Sequence, residues 1–295
     1  SRATMRSSCL SLAVLAVLSS PLTAAAGDPP SDDADPQVTT LGKVEVRADK
    51  DAVQAERALT PGGVTVVDGE TFEQRAVTNM ADALRYVPGI FTQSGTGGDA
   101  IFISSRGSNL DATNYDSNGI KLFQDGLPVS TADGNNHNRF LDPLAARHAI
   151  IARGANALTY GASNLGGAID FISPTARNSP AMQLFLGGGS HGQINARLTA
   201  GGVSGDLDGQ VTLDSLDRDG YREHSQQDRA GLYANAGWRV NEDFDLRVFA
   251  THVDNDEELA GPLTRAQFEQ DPYQAQPSAI SGNFQLNVRT DRLAA

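Results

Sequence analysis

The segment FQDGLPV, residues 123–129, decides the fold of the first half of the chain. Asp125-Gly126 is a turn dipeptide, because glycine tolerates positive φ and aspartate bonds to nearby backbone. Pro128 favours extended backbone after that turn. The preceding residues, GIKLFQ at 119–124, predict a strand. We therefore predict a strand that ends in a tight turn and an extended segment.

Helix and strand patterns alternate on both sides of this segment, over residues 60–175. Asn79 is placed to cap a short helix with apolar residues on one face, and Pro88-Gly89 ends it. Gly166-Gly167 permits a close approach of backbone, which we expect beneath the wall of a barrel. Further strands are predicted at 63–67, 100–104, 148–153 and 167–172.

Three polar loops separate these strands, at 93–99, 108–117 and 130–138. They are rich in Gly, Asn and Asp, and a scaffold usually carries its function on such loops. We therefore look for binding residues there.

After Met182 the helical pattern disappears and longer alternating segments follow. Their turns are rich in Gly and Asp, so the sequence predicts an antiparallel meander. Strands of about 9 to 11 residues cross an outer membrane when they are tilted. Five or six strands do not close a barrel, so we expect the barrel to be incomplete in this chain. The segments are 182–188, 193–200, 209–216, 231–240 and 244–252.

The start of the chain has the pattern of an exported protein. Residues 1–26 resemble a secretory signal, with Arg2 and Arg6 before an apolar run and small residues at the end. Residues 27–58 read as a flexible leader. Within it, Leu41–Ala48 alternates strictly and predicts a strand without a neighbour, which is either the edge of the next domain or a strand offered to another protein.

Composition and motif spacing exclude several function classes. A net charge of −13 without a basic run excludes nucleic acid as a partner. Gly187, Gly189 and Gly192 have dinucleotide-motif spacing, but a strand follows where a helix would begin. Ser163 lacks the glycine that a nucleophile elbow needs. We predict no enzyme, no catalytic residues, no cofactor and no dedicated metal site.

Five short sequence motifs follow one another between residues 82 and 170. They are DALRYVPGI at 82–90, Arg106-Gly107, FQDGLPV at 123–129, RGANALTYG at 153–161 and GGAID at 166–170. Together they resemble the TonB-dependent outer-membrane receptor family, of the ferric siderophore or ferric citrate type, over roughly residues 38–290.

The resemblance implies a mixed α/β plug domain followed by the first strands of a transmembrane antiparallel β-barrel. We expect a signal at 1–26, the leader at 27–58, a plug region at 59–178 and barrel strands at 179–295. Arg106 and Arg153 resemble the plug arginines of the family that pair with barrel carboxylates. The resemblance also implies a TonB box, made of Lys43, Val44, Glu45, Val46, Arg47 and Ala48.

The implied function is active import across the outer membrane of a Gram-negative bacterium. The box would add a strand to TonB, which works with its inner-membrane energising complex, and the pull would loosen the plug. Outer-membrane lipid would surround the barrel, and the chelator would hold the iron of a ferric chelate. The candidate cargo contacts are Gln93, Asn114, Tyr115, Asn136, His137 and Arg139.

Other functions stay open at this point. Haem, cobalamin or carbohydrate are alternative cargoes for the same family. A secreted calcium-dependent adhesin is the alternative outside transport, with calcium loops at 217–220 and 254–258. A passive porin is disfavoured, because porins lack a mixed α/β domain before the first strand.

Overall fold

A computed structural model of the chain describes residues 63–94, 101–108, 119–129, 143–161, 166–241 and 244–295. All of them belong to one unit, Val53–Ala295. The predicted signal peptide, the leader and the proposed TonB box lie outside the described residues.

The plug region contains a five-stranded mixed sheet in the order β1-β6-β7-β4-β5. Its pairs are antiparallel except for β4 and β7, which run parallel. The strand β1 lies at one edge and pairs only with β6. The strands are β1 Val64–Asp68, β4 Ile120–Gln124, β5 Leu127–Pro128, β6 His148–Ala152 and β7 Gly167–Ile172.

Two short helices and a hairpin pack against this sheet. The helix α1 spans Gly69–Gln74 and α2 spans Met80–Leu84. The hairpin pairs β2, Ile90–Ser94, with β3, Ile101–Ser105. As predicted, the side chain of Asn79 caps α2, accepting a 2.9 Å hydrogen bond from the backbone N of Asp82. The shared core includes Phe72, Leu84, Ile103, Ile151 and Phe171.

The predicted turn at Asp125-Gly126 is confirmed. Both residues have positive φ, +57° and +75°, and Gln124 pairs with Leu127 directly across the turn. The Asp125 carboxylate accepts hydrogen bonds from the N and Oγ of Ser173, at 2.7 and 2.8 Å. The turn is therefore tied to the chain that leaves β7.

The glycine pair is close to other backbone, but in a different place from the one predicted. A Cβ on Gly167 would lie 2.6 Å from the carbonyl oxygen of Ala152 in β6, and one on Gly166 would lie 2.4 Å from Oγ of Ser108. These neighbours belong to the plug region itself. The close approach is therefore made to the plug region: Gly167 packs β7 on β6, and Gly166 packs against Ser108 and the backbone of Gly119.

The meander is a six-stranded sheet in which each strand pairs antiparallel with the next, in the order β8-β9-β10-β11-β12-β13. Strands β9 to β12 have 11 to 14 residues, enough to cross a membrane when tilted. The strands are β8 Met182–Gly188, β9 Ile194–Ser204, β10 Leu207–Arg218, β11 Gln227–Arg239, β12 Asp245–Glu258 and β13 Gln285–Ala294.

The two faces of the meander are inverted relative to a soluble sheet. The face toward the plug region, here called the inner face, carries polar side chains that are buried. They include Arg197, Thr199, Asp208, Thr212, Arg229, Asn255 and Glu257. The outer face carries large apolar side chains that are exposed, including Leu186, Val211, Leu232, Trp238, Leu246 and Leu293. Apolar-out and polar-in alternation is typical of strands that face lipid.

Two helices interrupt the connection between β12 and β13, which corrects the prediction that helices end at Met182. The helix α3 spans Arg265–Gln270 and α4 spans Pro277–Ser281. Thr264 and Gln267 form a capping box at the start of α3. None of the helices in the described part of the chain is long and apolar enough to cross a membrane.

Candidate functional site

The candidate site is the interface between the plug region and the inner face of the meander. Four groups of polar contacts join them, and each involves an inner-face side chain of a different part of the sheet. These contacts decide how firmly the plug region is seated, so they bear directly on any function that moves it.

The first contact holds α1 against β8 and β9. Glu73 forms an ion pair with Arg197 of β9 and accepts a 3.2 Å hydrogen bond from Nε2 of Gln183 in β8. The Arg197 guanidinium also lies over the ring of Phe185, 5.4 Å from its centroid. Phe185 itself packs against the plug core. An apolar contact and an ion pair therefore anchor α1 together.

The second contact involves β11 and the start of α2. Nη1 of the buried Arg229 donates a 3.3 Å hydrogen bond to the carbonyl oxygen of Thr78. Its Nη2 lies 3.8 Å from the Asp214 carboxylate of β10. Nearby, Ala145 of the plug region packs with Tyr233 and Val253 of the meander.

The third contact is made by Arg292 of β13 on the β4–β5 turn. Its Nη1 donates to Oε1 of Gln124 at 2.9 Å, and its Nη2 donates to the carbonyl oxygens of Gln124 and Leu127, both at 3.4 Å. This arginine therefore holds both arms of the turn that the sequence singled out.

Two buried carboxyls lie beside this arginine. Burial raises the pKa of Asp170 to about 6, a hydrogen bond from the Gly126 N–H opposes that rise, and the charge of Asp125 adds to it. Burial also raises the pKa of Asp125, against hydrogen bonds from Ser173 and the positive charge of Arg292. Desolvation of a carboxylate favours its neutral form. The seating of the turn is therefore coupled to protonation.

The fourth contact joins the end of the plug region to the short-turn end of the meander. Asp208 accepts from Nε of Arg177 at 2.6 Å and from Nη1 of Arg247 at 2.8 Å. Asn235 of β11 donates from Nδ2 to the carbonyl oxygen of Pro174 at 3.0 Å. A buried carboxylate shared by two arginines fixes this end of the interface.

The predicted plug arginines lie close together, and Arg153 bonds within the plug region. The Arg153 side chain donates from Nε to the Gly63 carbonyl oxygen at 3.0 Å and from Nη2 to Oγ1 of Thr65 at 2.8 Å. Burial lowers the pKa of Arg153, and the charge of nearby Arg106 lowers it further. No carboxylate among the described residues forms an ion pair with either arginine, and their pairing with barrel carboxylates stays a prediction.

The predicted cargo contacts are mostly outside the described residues. Gln93 is exposed on β2, where it pairs with Phe102 of β3. The other five, and the whole TonB box, fall outside the described ranges: Asn114, Tyr115, Asn136, His137, Arg139 and residues 43–48. All of these assignments stay predictions. Within the described ranges, no group of three or more His, Cys, Asp and Glu side chains could hold a metal ion.

Sequence reasoning missed the residues that join the two parts of the chain. Arg197, Arg229 and Arg292 all occupy inner-face positions of strands. In the alternating pattern of each strand, these arginines fall on the polar face, together with Thr and Asn. A charged residue on that face is the sequence signal that could have identified them.

At the opposite end of the strands, long connections are joined to each other. The Arg222 guanidinium, in the β10–β11 connection, donates to the carbonyl oxygens of Gly261 and Gln274, at 2.8 and 2.9 Å. Exposed Phe268 and Tyr273 lie in the same β12–β13 connection. The β9–β10 and β11–β12 connections are short turns, so the long connections all lie at one end.

Comparison with known proteins identifies relatives for this arrangement. The family described as TonB-dependent Receptor Plug Domain matches residues 56–168. A hemin receptor of Yersinia enterocolitica is 26% identical over 196 residues, which are 62% of this chain and 27% of the receptor. The ferripyoverdine receptor of Pseudomonas aeruginosa is 26% identical over 210 residues, which are 68% of this chain and 24% of the receptor.

Solved structures show the same fold. The ferripyoverdine receptor of the outer membrane of Pseudomonas aeruginosa, bound to ferripyoverdine, matches with a TM-score of 0.56 and 25% identity, over 67% of this chain and 26% of that one. A ferric citrate transporter in its unliganded form matches with a TM-score of 0.60 and 20% identity, over 76% of this chain and 36% of that one. The chain spans about a quarter of the length of the curated relatives it matches.

These findings confirm the predicted fold class, a mixed α/β plug followed by antiparallel strands of the kind that begin a barrel. The matching family and the matching solved structures are transport receptors and not enzymes, in line with the prediction.

Proposed function

We propose that the chain takes part in energy-driven import of a ferric chelate across the outer membrane, a function supported by its match to the TonB-dependent receptor plug domain. The observation that supports this most strongly is the interface itself. A plug region with its own core is seated by arginines on the polar inner face of strands whose outer face is apolar. These charge-assisted contacts hold the plug region against the strands, and because they are polar they can be exchanged for contacts with water when the plug moves.

The apolar band on the outer face supports a place in the outer membrane. On β11, outward residues are apolar from Ala230 to Trp238, while Asp228 and the short turn flank them. Nine residues at about 3.3 Å each, tilted by about 40°, span about 23 Å, close to the ~25 Å apolar band of outer-membrane strands.

The upper boundary of this band is oblique, as strand tilt requires. The first charged residue beyond the apolar outward residues is Asp217 on β10 and Asp291 on β13. Across the paired strands, Asp291 lies level with Leu213 of β10, four residues before Asp217. Four residues along a strand are about 13 Å, and three strand spacings are about 14 Å, so the boundary rises at about 43°. Transmembrane strands tilt by about 35–45°.

The proposed mechanism begins at the leader. Residues 43–48 would add a strand to the sheet edge of TonB, and main-chain hydrogen bonds would transmit the pull. The chain then enters the plug at β1, an edge strand with one neighbour. A pull on this strand would open the plug sheet from its edge.

The proposed cargo is a ferric siderophore or ferric citrate, held by the polar loops of the plug. Relatives named as receptors for ferripyoverdine and ferrioxamine B support this class. Arg139 would contact anionic chelate oxygens, and Tyr115 and His137 would contact aromatic edges. Haem is the second candidate, because a hemin receptor also matches 62% of this chain.

Uptake of labelled iron tests this proposal. Iron-starved cells that express the receptor gene would be given ferric citrate, several ferric siderophores and haem, with and without an uncoupler of the inner membrane. We expect one ferric chelate to be accumulated only in energised cells. Uptake of haem alone would support the second candidate, and uptake that survives the uncoupler would contradict active import.

Fractionation separates transport from adhesion. A receptor of this kind stays in the outer-membrane fraction until detergent is added, whereas a calcium-dependent adhesin leaves the surface with a chelator. Recovery of the chain in the chelator wash would contradict the proposal.

A further inference from the structure

We infer that the Glu73–Arg197 ion pair stops the opening of the plug when the leader is pulled. In this role Arg197 is a positioning residue that divides the plug into a segment that leaves and a remainder that stays. The inference rests on the proposed function, because it assumes that force enters at the leader.

The first segment of the plug has no bond to the meander. In the described structure, β1 pairs with β6 and is held at its start by Arg153, and none of its hydrogen bonds or ion pairs reaches β8–β13. Its residues Val64–Val67 are only half-buried. The strand can therefore separate from β6 without breaking a hydrogen bond or an ion pair between the described residues of β1 and the meander.

The attachment to the meander begins a few residues later. Phe72 is fully buried in the plug core, and the next residue, Glu73, pairs with Arg197 and accepts from Gln183. Arg197 is itself held, because its guanidinium lies over Phe185 and only 7% of its side chain is exposed. A pull that has removed β1 and continues through α1 must therefore break the bonds of Glu73 to Arg197 and Gln183.

The pair is suited to carry this load. Two charged partners in a mostly buried site make a stronger bond than the neutral backbone bonds of an edge strand. Phe185 adds an apolar contact to the plug core at the same point. Opening that reaches α1 must separate both the ion pair and the Phe185 contact, whereas separation of β1 from β6 leaves both intact.

Cysteine labelling in cells tests the inference. Cys9 is the only cysteine of these 295 residues, so an added cysteine reports alone once Cys9→Ser is combined with replacement of any cysteine in the rest of the receptor. Val66→Cys reports on β1, and Val77→Cys, fully buried just after Glu73, reports on the remainder. With cargo and energy present, we expect maleimide to label Val66→Cys and to leave Val77→Cys unlabelled.

Glu73→Gln removes the charge of the pair. In energised cells we expect labelling of Val77→Cys to rise by about tenfold, which corresponds to about 1.4 kcal/mol. The charge swap Glu73→Arg with Arg197→Glu should restore protection. Asp68→Asn is the matched control, because it removes an exposed carboxylate just before the same helix, where it makes no side-chain cap bond, and it should leave labelling unchanged.

The possible outcomes separate the inference from the function beneath it. If Val66→Cys shows no energy-dependent labelling, the pull itself is absent, and the proposed function fails with the inference. If Val66→Cys is labelled but Glu73→Gln leaves Val77→Cys protected, only the inference fails. If Glu73→Gln exposes Val77→Cys without energy as well, the pair maintains the folded plug and does not act as a stop.

Discussion

Arg292 of β13 donates a 2.9 Å hydrogen bond from Nη1 to Oε1 of Gln124, in the plug strand that precedes the Asp125-Gly126 turn. The two residues are 168 positions apart in the sequence, and the same guanidinium reaches the Leu127 carbonyl oxygen on the other arm of the turn. One side chain of the meander therefore seats the segment that most clearly identifies the plug.

Loss of this arginine should loosen the plug. Hydrogen bonds from a charged donor contribute about 1.5–3 kcal/mol, so we expect Arg292→Ala to lower the stability of plug seating by about that amount. Limited proteolysis of the detergent-solubilised receptor under increasing denaturant measures it. Arg289→Ala is the control on the outer face of the same strand, where the pair with Asp254 is exposed to solvent and its loss should have little effect. Equal effects of the two variants would contradict the assignment.

The stability of the plug should depend on the ionisation of Asp170. Because burial raises the pKa of Asp170 to about 6 from 3.8, the folded plug binds its proton more tightly than the unfolded chain does. The unfolding free energy therefore falls as pH rises from about 4 to about 6, by at most about 3 kcal/mol. Below this window both states are protonated, and above it the full cost of the buried charge is present.

Asp170→Asn isolates this effect. In the wild type the Gly126 N–H donates to both carboxylate oxygens of Asp170 at 3.1 Å. The Asn side-chain oxygen of the variant can still accept this bond, and the Asn side chain carries no charge. We expect the variant to match the wild type near pH 4 and to exceed its plug stability by about 2–3 kcal/mol near pH 7. Denaturant titrations at several pH values measure the difference, and a difference that is constant with pH would be evidence against the buried charge.

Two glycines of the plug should respond differently to alanine. Gly167 has φ +144°, and a Cβ there would lie 2.6 Å from the Ala152 carbonyl oxygen, so Gly167→Ala should cost about 2–3 kcal/mol by separating β7 from β6. A Cβ on Gly126, at φ +75°, meets nothing within 4 Å, so Gly126→Ala should cost only about 1 kcal/mol. Hydrogen exchange of the β6 amides measures both. Similar protection in the two variants would argue against the close approach.

The outer face of β11 should distinguish lipid from solvent. Leu232 lies within the proposed apolar band, so Leu232→Arg should destabilise the inserted receptor by about 2–4 kcal/mol. Asp228 lies one outward row above the apolar run, and Asp228→Arg should cost about 0–1 kcal/mol. Unfolding titrations in lipid bilayers measure this. A greater loss of stability for Asp228→Arg than for Leu232→Arg would contradict the proposed position of the apolar band.

Much of the fold follows from local pattern. The predicted strands at 167–172 and 182–188 have the bounds found for β7 and β8, because their apolar runs end at clear turn residues. The strand predicted at 244–252 instead continues to Glu258. Its acidic end forms neither the solvated turn that the sequence favours nor the calcium loop of the adhesin alternative: Asp254 and Asp256 face outward and Asn255 and Glu257 face inward along a regular strand.

The interface is beyond what one sequence predicts. Glu73 and Arg197 are 124 residues apart, and nothing local to either residue indicates the other. The short helix α1 was missed for a related reason, because six residues with one fully buried side chain give no measurable period. Its place is set by Phe72 in the core and by the contact with β9.

In the proposed mechanism a pull on residues 43–48 drives import, and Val46→Pro is the variant that tests this step. Proline removes a backbone N–H that an added strand needs, whereas the control Val46→Ala keeps it. We predict that cells with Val46→Pro bind the cargo chelate as wild-type cells do but accumulate no labelled iron, and that Val46→Ala cells accumulate it normally. Equal accumulation by the proline variant and the wild type would contradict the claim.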